Sequence, residues 1–392
     1  MQPLKITIYG DFWDCQIYMG QLYLWTFDGR LQIYDWDALV MSFLEKEEEA
    51  IALRYAFTNG NYLYGENLQI MNRDSEFKTL LLKRFENLSN RNLAIETSKP
   101  SIETNNPFAE LQTDSDIVNH TLYGITDNGL FSIDTNGSKN KVNKIFDSPF
   151  LSIKASKYHK KLALSAGDEG LFQYDIQGTK PVEQVDKRHS LFANWAGQNI
   201  YSSSNVGEDY MVMLGEEKPA LNNMGFIATE KEIFKTNENT NREPTAELGC
   251  NEKKYLSWAS SGKVFRAKED GIEIVNEVQK GTKVTFSDVK FIPIKTYHKK
   301  VIGGGTAYFG TIVEYNDALI VALSNGEVYP IEGDITRWRV YPRSINYENQ
   351  LHVIFDDRIE IYSFNHDYFV NQRIKNFGMA YEARHYIQNI AY

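Results

Sequence analysis

The chain has 392 residues, of which 42% are apolar, 24% charged and 13% aromatic, and it carries a formal net charge of −10. That balance belongs to a folded chain with a large core, and the acidic surplus argues against nucleic acid as the main partner, leaving only a local basic patch for such a role. Two cysteines, Cys15 and Cys250, exclude a disulfide framework; neither they nor the seven histidines fall into metal-ligand or metalloprotease spacing, so no metal and no cofactor is expected.

The N-terminal MQPLKITIYGDFW reaches an acid at Asp11 without an uninterrupted apolar run, and no stretch of about 18 apolar residues follows anywhere. These features predict a cytoplasmic protein without a membrane span. KITIYG (5–10) reads as a strand placed to complete the sheet of the last hairpin. GDFWDCQIY (10–18) gathers Asp11, Asp14 and Cys15 beside Phe12 and Trp13. A thiolate needs a neighbouring cation, and free cysteine is usually a small buried apolar group, so core packing is expected there.

TFDGRLQIYDWD (26–37) is a turn on Asp28-Gly29 followed by an alternating strand ending in Tyr34-Asp35-Trp36-Asp37. DALVMSFLEKEEEAIALRYAF (37–57) suits a short helix around Leu44 to Leu53, with Glu45 to Glu49 as a solvated run. Residues 88–116 and 236–249 are rich in Asn, Ser, Thr and acids without periodicity, and read as flexible surface insertions.

The strand, turn, strand scheme recurs in TLYGITDNGLFSIDTNG (121–137), KLALSAGDEGLFQYDIQG (161–178), YLSWASSGKVFRAKEDG (255–271), ALIVALSNGEVYPIEGD (318–334) and QLHVIFDDRIEIYSFN (350–365), with weaker copies at 62–74 and 200–214. Turn glycines such as Gly129 and Gly170 lie roughly 40 residues apart, the spacing of a four-stranded repeat. Eight candidate units begin near residues 15, 52, 117, 151, 191, 253, 311 and 344. The expectation is an all-β chain, 1–392, forming a single β-propeller of seven four-stranded blades, with eight as the alternative.

DGRLQIYDWD, EGLFQYDIQG and NGLFSID resemble the WD-repeat family, whose units end in a turn, an apolar strand and a Trp-Asp dipeptide. The Gly-His pair that opens a typical unit is missing, and no Ser-His-Asp-Trp network can be assembled from the spacing. The resemblance implies a scaffold that presents its loops to protein partners.

Two patches invite a chemical reading. VIGGGTAYFG (301–310) lacks the Lys-Ser or Lys-Thr and the helix of a phosphate cradle, so a glycine-rich turn between blade strands is expected. In TRWRVYPR (336–343), strand alternation puts Trp338, Val340 and Pro342 on one face and Arg337, Arg339, Tyr341 and Arg343 on the other. Three guanidiniums beside a tyrosine are candidates for binding an acidic peptide, a phosphate or a nucleic-acid backbone. No catalytic residues emerge. The functional expectation is a non-catalytic scaffold, a subunit or adaptor of a cytosolic complex that binds protein partners; the alternative is a propeller enzyme or ligand-binding protein using its axial channel for a metal or small molecule.

Overall fold

The computed structural model describes residues 2–60, 74–95, 99–135, 142–156, 160–178, 180–196, 199–204, 209–213, 233–235, 255–260, 263–268, 270–280, 283–294, 300–307, 309–323, 327–344 and 346–364. Residues 62–73 of the weak repeat copy 62–74, residues 205–208 and 214 of the copy 200–214, the insertion 236–249, Cys250, and the turn glycines Gly262 and Gly326 lie outside them. Among the described residues, seven sheets, six of four antiparallel strands and one of four with a fifth strand added, follow one another as the blades of a β-propeller. They divide into two compact units, Met1–Leu111 with Gly305–Tyr392, and Gln112–Gly304.

In the first unit, β2 (Phe12–Tyr18), β3 (Gln21–Thr26), β4 (Arg30–Asp35) and β6 (Ile102–Asn105) form one blade. A second runs β23 (Val301–Ala307, of which 305–307 belong to this unit), β24 (Gly310–Tyr315), β25 (Ala318–Leu323), β26 (Val328–Glu332). The last contains β27 (Ile335–Val340), β28 (Gln350–Phe355), β29 (Arg358–Ser363) and β1 (Leu4–Tyr9), and carries β5 (Leu93–Ile95) as a fifth strand. β1 pairs antiparallel with β29 from Leu4↔Ser363 to Tyr9↔Arg358, while β5 runs parallel to it from Ile6↔Leu93 to Ile8↔Ile95. Alternation explains the choice: Leu4, Ile6 and Ile8 are buried.

The second unit holds four blades. These are β7 (Asp114–Val118) to β10 (Val142–Phe146) by way of β8 (Thr121–Thr126) and β9 (Gly129–Asp134); β11 (Ser152–Ser156), β12 (Lys161–Ser165), β13 (Leu171–Asp175), β14 (Glu183–Asp186); β15 (Phe192–Ala196), β16 (Asn199–Ser203), β17 (Tyr210–Met213), β18 (Ile233–Lys235); and β19 (Leu256–Ser260), β20 (Lys263–Lys268), β21 (Gly271–Lys280), β22 (Lys283–Pro293). Side chains on β7 and β11 cross-link the first strand of the following blade: Asp114 and Asp116 on β7 accept the backbone N–H groups of Ile153 and Ala155 on β11 at 3.0 and 2.8 Å. Ser152 on β11 accepts from the backbone of Ala193 on β15 at 3.3 Å.

Three expectations are revised. The chain around residue 52, where a repeat was expected to begin, is helical: α1 (Trp36–Met41), a 3-10 turn (Glu47–Glu49), α2 (Ala50–Leu53) and a π-turn (Arg54–Thr58) occupy it, and α3 (Ser75–Ser89) is the next described element. Residues 88–116 end α3 and then supply β5, β6 and most of β7. The glycines of 303–305 lie within strand β23, not in a turn, because side chains from neighbouring strands press on the backbone there. A Cβ on Gly304 would sit 2.2 Å from the Trp258 ring, and one on Gly305 would sit 2.8 Å from Trp338.

Of the hairpin glycines, Gly29 (φ +80) and Gly129 (φ +123) both occupy backbone conformations that L side chains rarely adopt, but only Gly129 is also crowded, with a Cβ there 1.9 Å from the carbonyl oxygen of Phe146. Gly29→Ala should therefore cost about 1 to 2 kcal/mol from the left-handed conformation alone, whereas Gly129→Ala should cost clearly more because β10 must also shift. Equilibrium urea unfolding of both variants measures the gap, and equal losses would contradict this reading.

Candidate functional site

The polar residues singled out in TRWRVYPR sit on β27 and the turn after it, and the alternation read from the sequence holds over residues 337–341. Trp338 packs with the apolar cluster around Leu351, Val353 and Phe355 and donates its indole N–H to Glu314 Oε2 at 2.7 Å. Arg337, Arg339 and Tyr341 turn the other way, toward β2. That second face is not solvent, because it lies against another blade of the same unit.

Arg339 is only 8% exposed and Asp14 is fully buried. The guanidinium engages the carboxylate in a fork, Nε to Oδ1 at 2.9 Å and Nη2 to Oδ2 at 2.8 Å, and Asp14 Oδ1 also accepts the backbone N–H of Cys15 at 2.8 Å. Arg337 lies 3.5 Å from the same carboxylate and stacks over the Trp13 ring at 4.8 Å. Pairing slips by one residue between Phe12 and Asp14 on β2 and between Ile335 and Arg337 on β27. Such bulges re-aim side chains at strand ends. Trp13 is left half-buried, edge-on to Phe27, whose own side is 45% exposed. Arg343, on the turn after β27, is half-buried and engaged within the chain.

Deeper along the same face, Cys15, Tyr341 and His352 meet. Cys15 Sγ is 3.8 Å from both the Tyr341 hydroxyl and His352 Nδ1, and Tyr341 OH lies 3.2 Å from Nδ1. The protonation pattern follows from one backbone carbonyl. Gln350 Nε2 donates to Phe57 O at 2.6 Å, which leaves its Oε1 to accept from His352 Nε2 at 3.0 Å. His352 Nδ1 is then the acceptor, and Tyr341 donates to it. Phe57 O also accepts the indole N–H of Trp36 at 2.7 Å. Asn349 Nδ2 and Ser363 Oγ donate to the neighbouring carbonyl of Ala56 at 2.9 and 2.7 Å, so the π-turn is bonded directly to β29 and the start of β28.

This arrangement is chemically quiet near neutrality. Burial, helped by the Asp14 charge, pushes the Cys15 thiol up to about 12, against its ordinary 9. Burial holds His352 down at about 3 and raises Tyr341 well above its usual value, the adjacent Cys15 adding to the latter. With the thiol protonated and an imidazole this weakly basic, its Nδ1 already accepting from Tyr341, the cluster holds no thiolate and no effective base at neutral pH. Among the described residues, no group of three or more His, Cys, Asp or Glu side chains is placed to hold a metal ion.

The sequence missed His352, Gln350 and the role of Trp36. The signal was faint: Gln350 and His352 alternate in an otherwise apolar strand, and Trp36, which carried the Trp-Asp resemblance, is the first residue of α1, with Asp35 capping that helix through Ala38 N at 2.9 Å. In the second unit a Ser, His and Asp network does form, without the tryptophan. His189 Nδ1 meets Ser204 Oγ at 2.8 Å, Ser204 N donates to Asp209 at 3.2 Å, and Ser257 Oγ donates to Asp209 at 2.6 Å while accepting from Tyr201 at 3.0 Å. It joins the β16–β17 turn to β19.

No family model matches the chain, and no curated protein does. Among solved structures, a computationally designed protein, Ika8, aligns over 93% of this chain and all of its own at 9% identity and a TM-score of 0.49. The β-propeller domain of Cps50 (Swd1) from Myceliophteria thermophila aligns over 90% of this chain and 96% of its own at 10% identity and the same TM-score. The sheet topology makes the chain a β-propeller at the level of fold.

The depressed His352 pKa fixes a pH dependence. Between its ordinary 6.5 and about 3 the unfolded chain takes up a proton that the folded chain refuses. Stability is therefore complete above pH 6.5 and falls as the pH drops, by up to about 1.4 kcal/mol per pH unit from this group. The raised Cys15 thiol acts at the other end, where stability falls as the pH rises above 9 toward 12. Urea unfolding between pH 7 and 5 should show a shallower acid slope for His352→Gln than for the native chain, and an unchanged slope would refute the buried neutral imidazole.

Proposed function

We propose that the chain is a non-catalytic β-propeller scaffold, a cytoplasmic subunit or adaptor that binds protein partners. The observation that supports this reading is the use of its densest polar cluster for internal bonding. Asp14, Arg339, Tyr341, Cys15 and His352 satisfy one another, and the thiol and imidazole are held in their neutral forms. Among the described residues no helix is long and apolar enough to cross a membrane.

Within the candidate patch the roles divide. Arg339 and Tyr341 hold the interior, so partner contact falls to Arg337 together with Trp13 and Phe27, which meet where β2 and β27 begin and where β3 turns into β4. Tryptophan and arginine are the residue types that dominate binding hot spots, and an aromatic pair under a guanidinium offers rigid contact area at low entropic cost. A nucleic-acid role through residues 337–343 loses support, since two of its four side chains are turned inward.

The test is quantitative cross-linking and mass spectrometry of the tagged chain in native lysate, comparing native protein with Phe27→Asp and Arg337→Glu. Partners bound through this surface should drop at least tenfold in both variants while circular dichroism stays native. Retention of all partners in both would remove this surface from the proposal, and absence of any specific partner would overturn the scaffold reading.

A further inference from the structure

Phe27 is 45% exposed, yet the β3–β4 turn that carries it is tied down on all sides. Thr26 Oγ1 donates to Asp28 and accepts from Arg30 N at 3.1 Å, Arg30 Nε donates to Asp28 Oδ2 at 2.8 Å, and Gly29 O accepts from Asn106 N at 2.8 Å. The Phe27 amide donates to the carbonyl of Asp11 at 3.2 Å, which sets those two residues side by side. A ring held half in water by a fixed turn loses little further entropy on contact.

Charge decides what kind of contact it suits. The cations near this ring are already committed to acids: Arg30 is shared by Asp28 and Glu103 at 2.5 and 2.6 Å, Arg358 by Asp357 and Glu360 at 2.7 and 3.0 Å, and Arg337 and Arg339 converge on Asp14. Gly10 N donates to Asp357 O at 2.9 Å, which brings the β28–β29 turn, with Asp356 and Asp357, up to the Gly10-Asp11 link. Asp11, Asp28, Glu103, Asp356 and Asp357 are exposed here, while of the cations Arg30 is exposed and Arg337 and Arg358 are half-buried. The solvent side of this surface is therefore negative.

A template for the contact stands one ring further in. Arg337 stacks over Trp13 at 4.8 Å with the Asp14 carboxylate 3.5 Å from its guanidinium, a cation held between a ring face and an acid. Phe27, edge-on to Trp13 and beside Asp11, is the next ring outward, and among the described residues no cation of the chain stacks on it. We infer that the partner bound at Trp13 and Phe27 presents a basic segment, with a lysine or arginine stacked on Phe27 and turned toward Asp11. This rests on the reading of that surface as the partner site. Arg337, engaged with Asp14, supports Trp13 and does not offer its own charge.

Phage selection of a random peptide library on the immobilised full chain, run in parallel on Phe27→Ala, tests the inference. Peptides recovered by the native chain and not by Phe27→Ala should carry an excess of Lys and Arg. The strongest of them, synthesised and followed by fluorescence anisotropy, should bind about tenfold or more weakly to the Asp11→Lys, Asp356→Lys double variant, whose two sites are exposed and whose thermal melt should be unchanged, and should weaken on the native chain as salt rises. Phe27-dependent peptides that are neutral or acidic, or binding indifferent to the double charge reversal, would overturn the basic class and leave the surface in place. Recovery of no peptide that depends on Phe27 would overturn both.

Discussion

The ion pair between Asp14 and Arg339 is the interaction on which the first unit depends. A carboxylate with no exposed surface is tolerable only if every oxygen is bonded, and here the guanidinium fork and the Cys15 N–H do that together. Breaking such a pair by removing one partner leaves a buried charge and typically costs about 3 to 5 kcal/mol, a large share of a domain's whole stability. Replacing the pair with apolar residues could be neutral, so its value lies in specificity: it fixes which face of β27 meets β2. Once that face is fixed, Tyr341 follows two residues later, and His352, opposite Arg339 on β28, is brought to meet it.

From there the order passes to the helical insertion. The π-turn frees the carbonyls of Ala56 and Phe57 from the regular helical ladder, and side chains of Trp36, Gln350, Asn349 and Ser363 take them up. The insertion is therefore part of the core: α2 and α3 contribute Leu53, Leu81, Phe85 and Leu88 to the same apolar cluster as Ile6, Ile359 and Ile361. Arg91 completes the attachment, bonding Glu49 at 2.8 Å and the carbonyl of Phe43 at 2.8 Å just before β5 joins β1.

The blades were legible because two-residue alternation and glycine turns are local signals. TFDGRLQIYDWD was read as a hairpin because Asp28-Gly29 demands a positive φ, and Gly29 has it. The division of TRWRVYPR into two faces was legible for the same reason. What the second face meets was not, because the residues that cover it, Asp14 and Cys15, lie more than 300 positions away. Burial on both faces also removes the polar alternation that separates inside from outside, so arginines that pair with a buried acid look like a solvated patch. The helical stretch was only partly legible: the short helix expected around Leu44 to Leu53 is there from Glu47 on, but four-residue and five-residue turns carry too little periodicity to mark their ends, and a repeat was counted from near residue 52, where residues 50–58 are helical.

If the Asp14–Arg339 pair and the Phe57 carbonyl bind β2, β27 and the π-turn into one cooperative body, these segments must open together. Native-state hydrogen exchange with mass spectrometry measures this directly. Peptides covering 12–18, 335–340 and 50–58 should share one opening free energy in the native chain, and all three should lose protection together in Asp14→Asn. Exchange of 50–58 at a rate independent of the two strands, or unaffected by Asp14→Asn, would contradict it.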